Sequence, residues 1–410
     1  MTVLVMNLRQ QKGMALAKGR TIRRQGNLWL VPSQTGDGTL YGVDLANQKC
    51  TCLDFKENQE KCKHIFAAQF ASARVQNAVI PMIQQTTMAT RPTYSQQQPA
   101  YNAAQVNEKD TFQELLHELC AFLPVALPAR GRPPYPLRDG LFSITYKVYS
   151  TLSARRFSSD LREAHQRGFI ARVPHFNTIL NILGDDSIYD TLHNLVERSA
   201  LPLKERETHF ASDSTKFSPS RKAHWADSKT GKEGLQQDWV KCHMMVGVDS
   251  HIVTAIEIRE QNASDAKTFK ALFDTTSKNF DIVAISADKG YCSQENYDIV
   301  GRNGATPYIA FLSHVKATTG NKHWKESFNR FKSNPQEYKD GYHQRSNAES
   351  AFSAIKRKYG NSLRTRKSEA AMKNEILCKI LCHNIVVLIH EMHKGHVHRP
   401  FWGEKEQYEN

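Results

Sequence analysis

The sequence predicts an α/β fold, a mixed sheet flanked by helices, preceded by a helical region and a small cysteine- and histidine-bearing ββα module. Three observations predict it. Strand-like runs beginning near Phe210, Asp238, Ile252 and Ile282 are interrupted once by a helical pattern, the arrangement of an α/β sheet with one crossover. Residues 111–203 carry apolar side chains at helical spacing and few strand signals. Three of the eight cysteines crowd into residues 50–62.

At the N-terminal end, Asn27–Val31 and Leu40–Leu45 read as the strands of a hairpin, and Cys62 to about Ala73 as a helix. Cys50-Thr51-Cys52 is followed after nine residues by Cys62-Lys63-His64. Three sulfurs and one imidazole nitrogen are the donor set of a closed structural zinc site, with one ion clamping hairpin to helix. A disulfide is the competing use of these cysteines. The chain start argues against it, because its short apolar stretch is followed, not preceded, by basic residues, unlike a secretory signal. The pattern Cys-x-Cys-xn-Cys-x-His, with Val43-Asp44-Leu45 before it, resembles a SWIM-type zinc finger, and residues 1–82 are assigned to that module.

Residues 83–110 are polar and Gln-rich and read as a linker. Residues 111–205 read as a helical, DNA-contacting domain, with Leu115, Leu116, Leu119 and Phe122 at core spacing, helices near Leu137–Thr151 and Arg155–Arg167, and His175–Leu183 completing a helix-turn-helix-like arrangement. Within it Arg130-Gly131-Arg132-Pro133-Pro134 has the form of a minor-groove hook, although a basic turn before a helix is the better account.

The sheet follows. Phe210–Thr215 reads as a strand ending at Asp213, Asp238–Val248 and Ile252–Ile258 as two more, and Ile282–Ala287 as a fourth leading into Asp288. Ser264 caps a helix over about Asp265–Ser277 with Phe269, Leu272 and Phe273 on its apolar face. A right-handed crossover through that helix makes the first and fourth strands parallel neighbours, so Asp213 and Asp288 share one edge. Asp249 then falls at the opposite end of the first strand. Thr306–Phe311 supplies a fifth strand.

Most informative is Tyr342, Arg345, Glu349 and Lys356. At about 100° per residue one helix would place all four within roughly 60° of each other. Ala348, Phe352, Ile355 and Tyr359 form an apolar stripe beside them, so the helix can cover a sheet while presenting a carboxylate among cations.

Together with the two aspartates and Asp288-Lys289-Gly290-Tyr291, this Tyr-x2-Arg-x3-Glu-x6-Lys spacing resembles that of DDE transposases of the insertion-sequence type, with an RNase H-like core; the likeness runs over Glu207–His393. The resemblance implies a catalytic domain at 206–393 and a tail at 394–410. It implies that Asp213, Asp288 and Glu349 hold two Mg2+ or Mn2+ ions, and that Tyr342, Arg345 and Lys356 position DNA beside the cleaved phosphate. The chemistry suits those residue types. Two hard cations on carboxylate oxygens activate an oxygen nucleophile and stabilise the leaving oxygen of a phosphodiester, whereas His or Cys would select another metal. The 60 residues between Asp288 and Glu349 are too few for the large β-rich insertion found in some relatives.

Charge agrees with a nucleic-acid partner. The 410 residues carry 55 Lys+Arg against 41 Asp+Glu, a formal net charge of +14. Lys356, Arg357, Lys358, Arg364, Arg366, Lys367 and Lys373 follow Glu349 with only Glu369 opposing them, so Arg357 and Lys358 join the DNA-binding set. Residues 375–393 carry Cys378, Cys382 and three histidines on an apolar helix, read as core; Lys379, His383 and Asn384 interrupt it as a membrane span. The expectation is a DNA transposase acting on double-stranded DNA as a homo-oligomer, cytoplasmic and nucleoid-associated, with no membrane partner. A zinc-dependent DNA-binding protein without catalysis and a metal-dependent DNA nuclease are the alternatives.

Overall fold

A computed structural model describes residues 7–19, 21–33, 39–75, 97–124, 135–219, 240–312, 320–365, 368–399 and 401–402. The hook-like Arg130–Pro134, together with Arg366 and Lys367, lies outside them. The chain divides into two compact units, residues 1–95 and 96–410.

The first unit runs α1 Leu8–Gly19, β1 Arg23–Gln25, β2 Leu28–Pro32, β3 Leu40–Asp44, β4 Lys49–Cys50, α2 Leu53–Asn58 and α3 Lys63–Val75. Its strands form one antiparallel sheet in the order β1-β2-β3-β4. The expected hairpin is β2-β3, with Leu28 opposite Asp44 and Pro32 opposite Leu40. Val31, Val43, Ile65 and Ala68 fill its core with the three cysteines. Helix α1 has no counterpart in the sequence reading. It crosses α3 so closely that a Cβ on Gly13 would lie 2.6 Å from the Phe66 Cβ, and its polar composition gives no amphipathic stripe to detect.

The second unit begins earlier than composition implies. Within the stretch read as linker, α4 Gln98–Val106 is a helix and α5 Glu108–Cys120 begins. Ala104 is fully buried, and Tyr101 stacks on His390 with ring centroids 5.4 Å apart, so tertiary contacts order a segment whose glutamines and small residues carry little hydropathy. Helices α6 Leu137–Ser150, α7 Ser158–Gln166, α8 Phe176–Leu183 and α9 Tyr189–Ala200 follow.

The sheet region contains β5 His209–Pro219, β6 Val240–Gly247, β7 Val253–Glu260, α10 Asp265–Ser277, β8 Ala284–Ala287, a 3-10 turn Lys289–Tyr291, α11 Gln294–Arg302 and β9 Thr306–Ile309. Helices α12 Lys322–Ser333, α13 Pro335–His343 and α14 Ser346–Tyr359, the short β10 Ser362–Leu363, and α15 Glu369–His393 complete it. Strand order is β7-β6-β5-β8-β9, with β10 also on β5. Strands β5, β8 and β9 are parallel, while β6 and β7 are antiparallel. The predicted crossover holds, and β8 is buried along its whole length, as a central parallel strand must be.

One core contains residues of α5, α6, α9, the sheet, α14 and α15, so the helical region and the sheet form one body rather than two domains. Helix α15 is apolar and long enough to cross a bilayer by composition, and 83% of that apolar stretch is buried inside the unit. Cys378 and Cys382 are fully buried there, as expected for core residues. The buried Glu375 accepts from the backbone N–H groups of Arg364 and Thr365, and Lys379 Nζ donates to the carbonyls of Gly360 and Ser362. This pair fastens the chain just after α14. Lys394 and His396, in the expected tail, bond to Glu391, and Trp402 Nε1 donates to the Arg198 carbonyl at 2.9 Å.

Candidate active site

Ser212 of β5 is in register with Ala287 of β8, so the next residues, Asp213 and Asp288, leave two adjacent parallel strands side by side. Strand β5 does not end at Asp213 but continues to Pro219, because β6 pairs with it as far as Phe217. What ends at that level is β8. Asp213, still largely buried, therefore reaches the sheet's edge through the stop of its neighbour rather than through its own strand's end. Asp249 lies in the turn after β6, its N–H donating to Glu207, at the opposite end of β5.

The four-residue stripe is split over two helices. Tyr342 belongs to α13, Gln344 and Arg345 form a turn, and Glu349 and Lys356 lie on α14. Both turn residues keep right-handed helical dihedrals, so the axis is interrupted without moving the side chains far from the expected face. Ala348, Phe352, Ile355 and Tyr359 are all buried, as the apolar stripe requires.

The polar groups converge. Arg345 Nη1 lies 2.5 Å from Glu349 Oε1 and 3.8 Å from Asp213 Oδ2. Tyr342 donates to Asp288 Oδ1 at 3.4 Å, and its ring lies 5.6 Å from the Arg345 guanidinium carbon. Lys356 Nζ donates to Thr215 Oγ1 at 2.6 Å and sits 5.2 Å from the Phe217 ring centre. Asp213, Thr215, Glu349, Lys356 and the exposed Arg357 line an open groove of about 580 Å3. Lys358 points elsewhere: its Nζ is 2.6 Å from both carboxylate oxygens of the buried Glu108 on α5.

Burial pushes the Asp213 carboxyl up to about 6, and the charges of Glu349 and Asp288 add to that, against the Ser214 N–H and Arg345. Arg345 thus supplies positive charge between Asp213 and Glu349, where carboxylates crowd. Carboxylate oxygens are the donors a hard divalent cation takes, although among the described residues only Cys50, Cys52, Cys62 and His64 bring three or more donor atoms within 4.8 Å of one another.

Residues 204–385 match the family model of the transposase DDE domain. This span contains Asp213, Asp288 and Glu349 together with the strands and helices that carry them. A transposase DDE domain implies DNA as the partner and phosphodiester chemistry as the reaction class. Comparison with curated proteins and with solved structures returns no match.

A second cluster lies in the first unit. Cys50 ends β4, Cys52 caps α2, and Cys62 and His64 open α3. All four are buried, and their donor atoms lie within 4.8 Å of one another. No disulfide joins the cysteines. The hydrogen bond from Cys50 draws the Cys62 thiol down to about 4, and the same contact pushes Cys50 well above the ordinary thiol range. The buried His64 Nε2 has no hydrogen-bond partner. Three thiolates and an imidazole at this spacing fit tetrahedral zinc.

Trp324, in the stretch between β9 and α13, does not face the groove. It is instead buried against Tyr297 and Phe311, at centroid distances of 5.0 and 5.2 Å. Missed altogether were Glu108, whose place in the charged run Glu108-Lys109-Asp110 gives no signal of burial, and His243, treated below.

Proposed function

We propose that the protein is a DNA transposase of the insertion-sequence type, whose RNase H-like core cleaves at transposon ends and joins the freed 3′-hydroxyl to target DNA. One observation carries this reading: two aspartates leave adjacent parallel strands beside a helix that offers Glu349, inside a transposase DDE domain. Asp213, Asp288 and Glu349 would hold two Mg2+ or Mn2+ ions. When bound, these supply Lewis-acid activation of the nucleophile and charge relief at the leaving oxygen.

The remaining residues act on DNA. Arg345, which pairs with Glu349 here, would grip a DNA phosphate with its planar fork through two parallel hydrogen bonds once metal ions were held on the carboxylates. Tyr342 orients Asp288 through its hydroxyl. Lys356, with Arg357 at the groove rim, fixes the backbone of the bound strand, and burial lowers the Lys356 pKa from its ordinary value. The Cys50-Cys52-Cys62-His64 cluster acts as a SWIM-type structural zinc finger. Pairing two transposon ends requires two such cores, so the active species is a homo-oligomer on double-stranded DNA, in the cytoplasm at the nucleoid.

The test uses oligonucleotides carrying the element's terminal sequence, with Mg2+ and a target plasmid. Wild-type protein should cleave and join; Asp213→Asn, Asp288→Asn and Glu349→Gln should each bind DNA and do neither. Cleavage without joining would establish a nuclease instead. Cleavage by any of the three variants at the wild-type rate would remove the metal assignment.

A further inference from the structure

Behind Asp288, on the far side of the sheet from the groove, lies a buried polar chain that the chemistry above does not use. Asp288 opens the 3-10 turn, its carbonyl accepting the Tyr291 N–H at 2.9 Å. Tyr291 is 1% exposed, and its hydroxyl lies 3.1 Å from Nδ1 of His243 on β6. His243 Nδ1 is 3.3 Å from Asp265 Oδ1, and Lys241 Nζ is 2.5 Å from the same oxygen. Met244 is the cross-strand partner of Asp213, so the adjacent His243 projects from the opposite sheet face.

The turn is gripped from two further directions. Asn296 Nδ2 donates to the Tyr291 carbonyl at 2.8 Å. A Cβ on Gly290 would lie 2.7 Å from Asp265 Oδ2, so the carboxylate packs directly on the turn backbone. A phenol and an imidazole in a closed interior are costly, the Asp265 carboxylate beside them being 23% exposed, and phenylalanine would fill the site of Tyr291 without any partner to satisfy. Rigid placement of the turn accounts for retaining them.

We propose that Tyr291, His243 and Asp265 are positioning residues that fix the Asp288 turn so that its carboxylate meets the metal in one orientation. The inference rests on the reading of Asp288 as a metal ligand. Hydrogen-bonded supports behind a ligand typically set its affinity by 10–100-fold.

The experiment is calorimetric titration of Mn2+ into the zinc-loaded full chain, with end-DNA affinity and thermal melting followed in parallel. Tyr291→Phe keeps the ring and loses the hydroxyl. It should weaken Mn2+ binding about tenfold while leaving DNA affinity and the melting temperature close to wild type. Asp265→Asn and Gly290→Ala should shift Mn2+ affinity in the same direction, and Tyr291→Phe combined with Asp265→Asn should lose little more than either alone. Wild-type Mn2+ affinity in the folded Tyr291→Phe and Gly290→Ala proteins would overturn the proposal alone. Wild-type affinity in Asp288→Asn would overturn the ligand reading, and the proposal with it.

Discussion

At Asp213 the chain buries a carboxylate beside two others, and its proton is held up to about pH 6 against an ordinary value near 4. The stability linked to that raised value is complete below the unfolded pKa and is lost as pH rises through about 6. At pH 7.5 without divalent cation the cost is about 3 kcal/mol. Asp213→Asn carries no charge. It should therefore melt higher than wild type at pH 7.5 without added Mg2+ or Mn2+, with the difference shrinking toward pH 4; a lower melting temperature at pH 7.5 would refute the strain. Arg345 belongs to the same balance. Arg345→Lys keeps the charge but cannot grip a phosphate at two points. Strand transfer should fall at least about tenfold while the salt dependence of DNA binding keeps its slope; wild-type joining would reduce Arg345 to a point charge.

Among elements, α14 is held by what it sends away from the groove as well as into it. Lys356 and Lys358 are two residues apart on a helix, so they diverge, one to Thr215 and the other to Glu108. Tyr149 also donates to Glu108, at 2.8 Å. The carboxylate on α5 thus ties the end of the Glu349 helix to the helical layer. Glu108→Gln takes the charge from a buried carboxylate that Lys358 and Tyr149 both bond, and should cost about 1 kcal/mol, read by denaturant unfolding. A change under about 0.5 kcal/mol would mean that the pair behaves as a surface bridge. The Gln344-Arg345 turn between α13 and α14 has a separate effect, setting Tyr342 toward Asp288 while Arg345 faces Glu349.

At the scale of the whole molecule, two compact units imply two unfolding events. The first has a small core that includes the three cysteines of its Cys3His cluster, whereas the second is closed around α15. Removing zinc with a strong chelator should melt residues 7–75 and leave the larger transition intact, because metal binding contributes the folding energy of so small a module. Calorimetric scans with and without chelator, with zinc counted by mass spectrometry, read the outcome. A single transition unaffected by chelation would remove the structural role of the cluster.

Local sequence was sufficient where neighbours along the chain decide the structure. The helix Asp265–Ser277, the β2-β3 hairpin, the Cys50–His64 spacing and the apolar stripe Ala348–Tyr359 were all legible from periodicity and donor type. The adjacency of Asp213 and Asp288 was legible too, since the handedness of a crossover leaves one arrangement. Tertiary structure decided the rest. Helix α4 exists because His390 and its surroundings cover it, the end of β8 rather than of β5 brings Asp213 to the sheet's edge, and Lys358 points to Glu108 because α5 packs there. The Tyr291–His243–Asp265 chain joins three elements through the interior. Periodicity marks which face of an element is buried, but only packing selects the partner it is buried against.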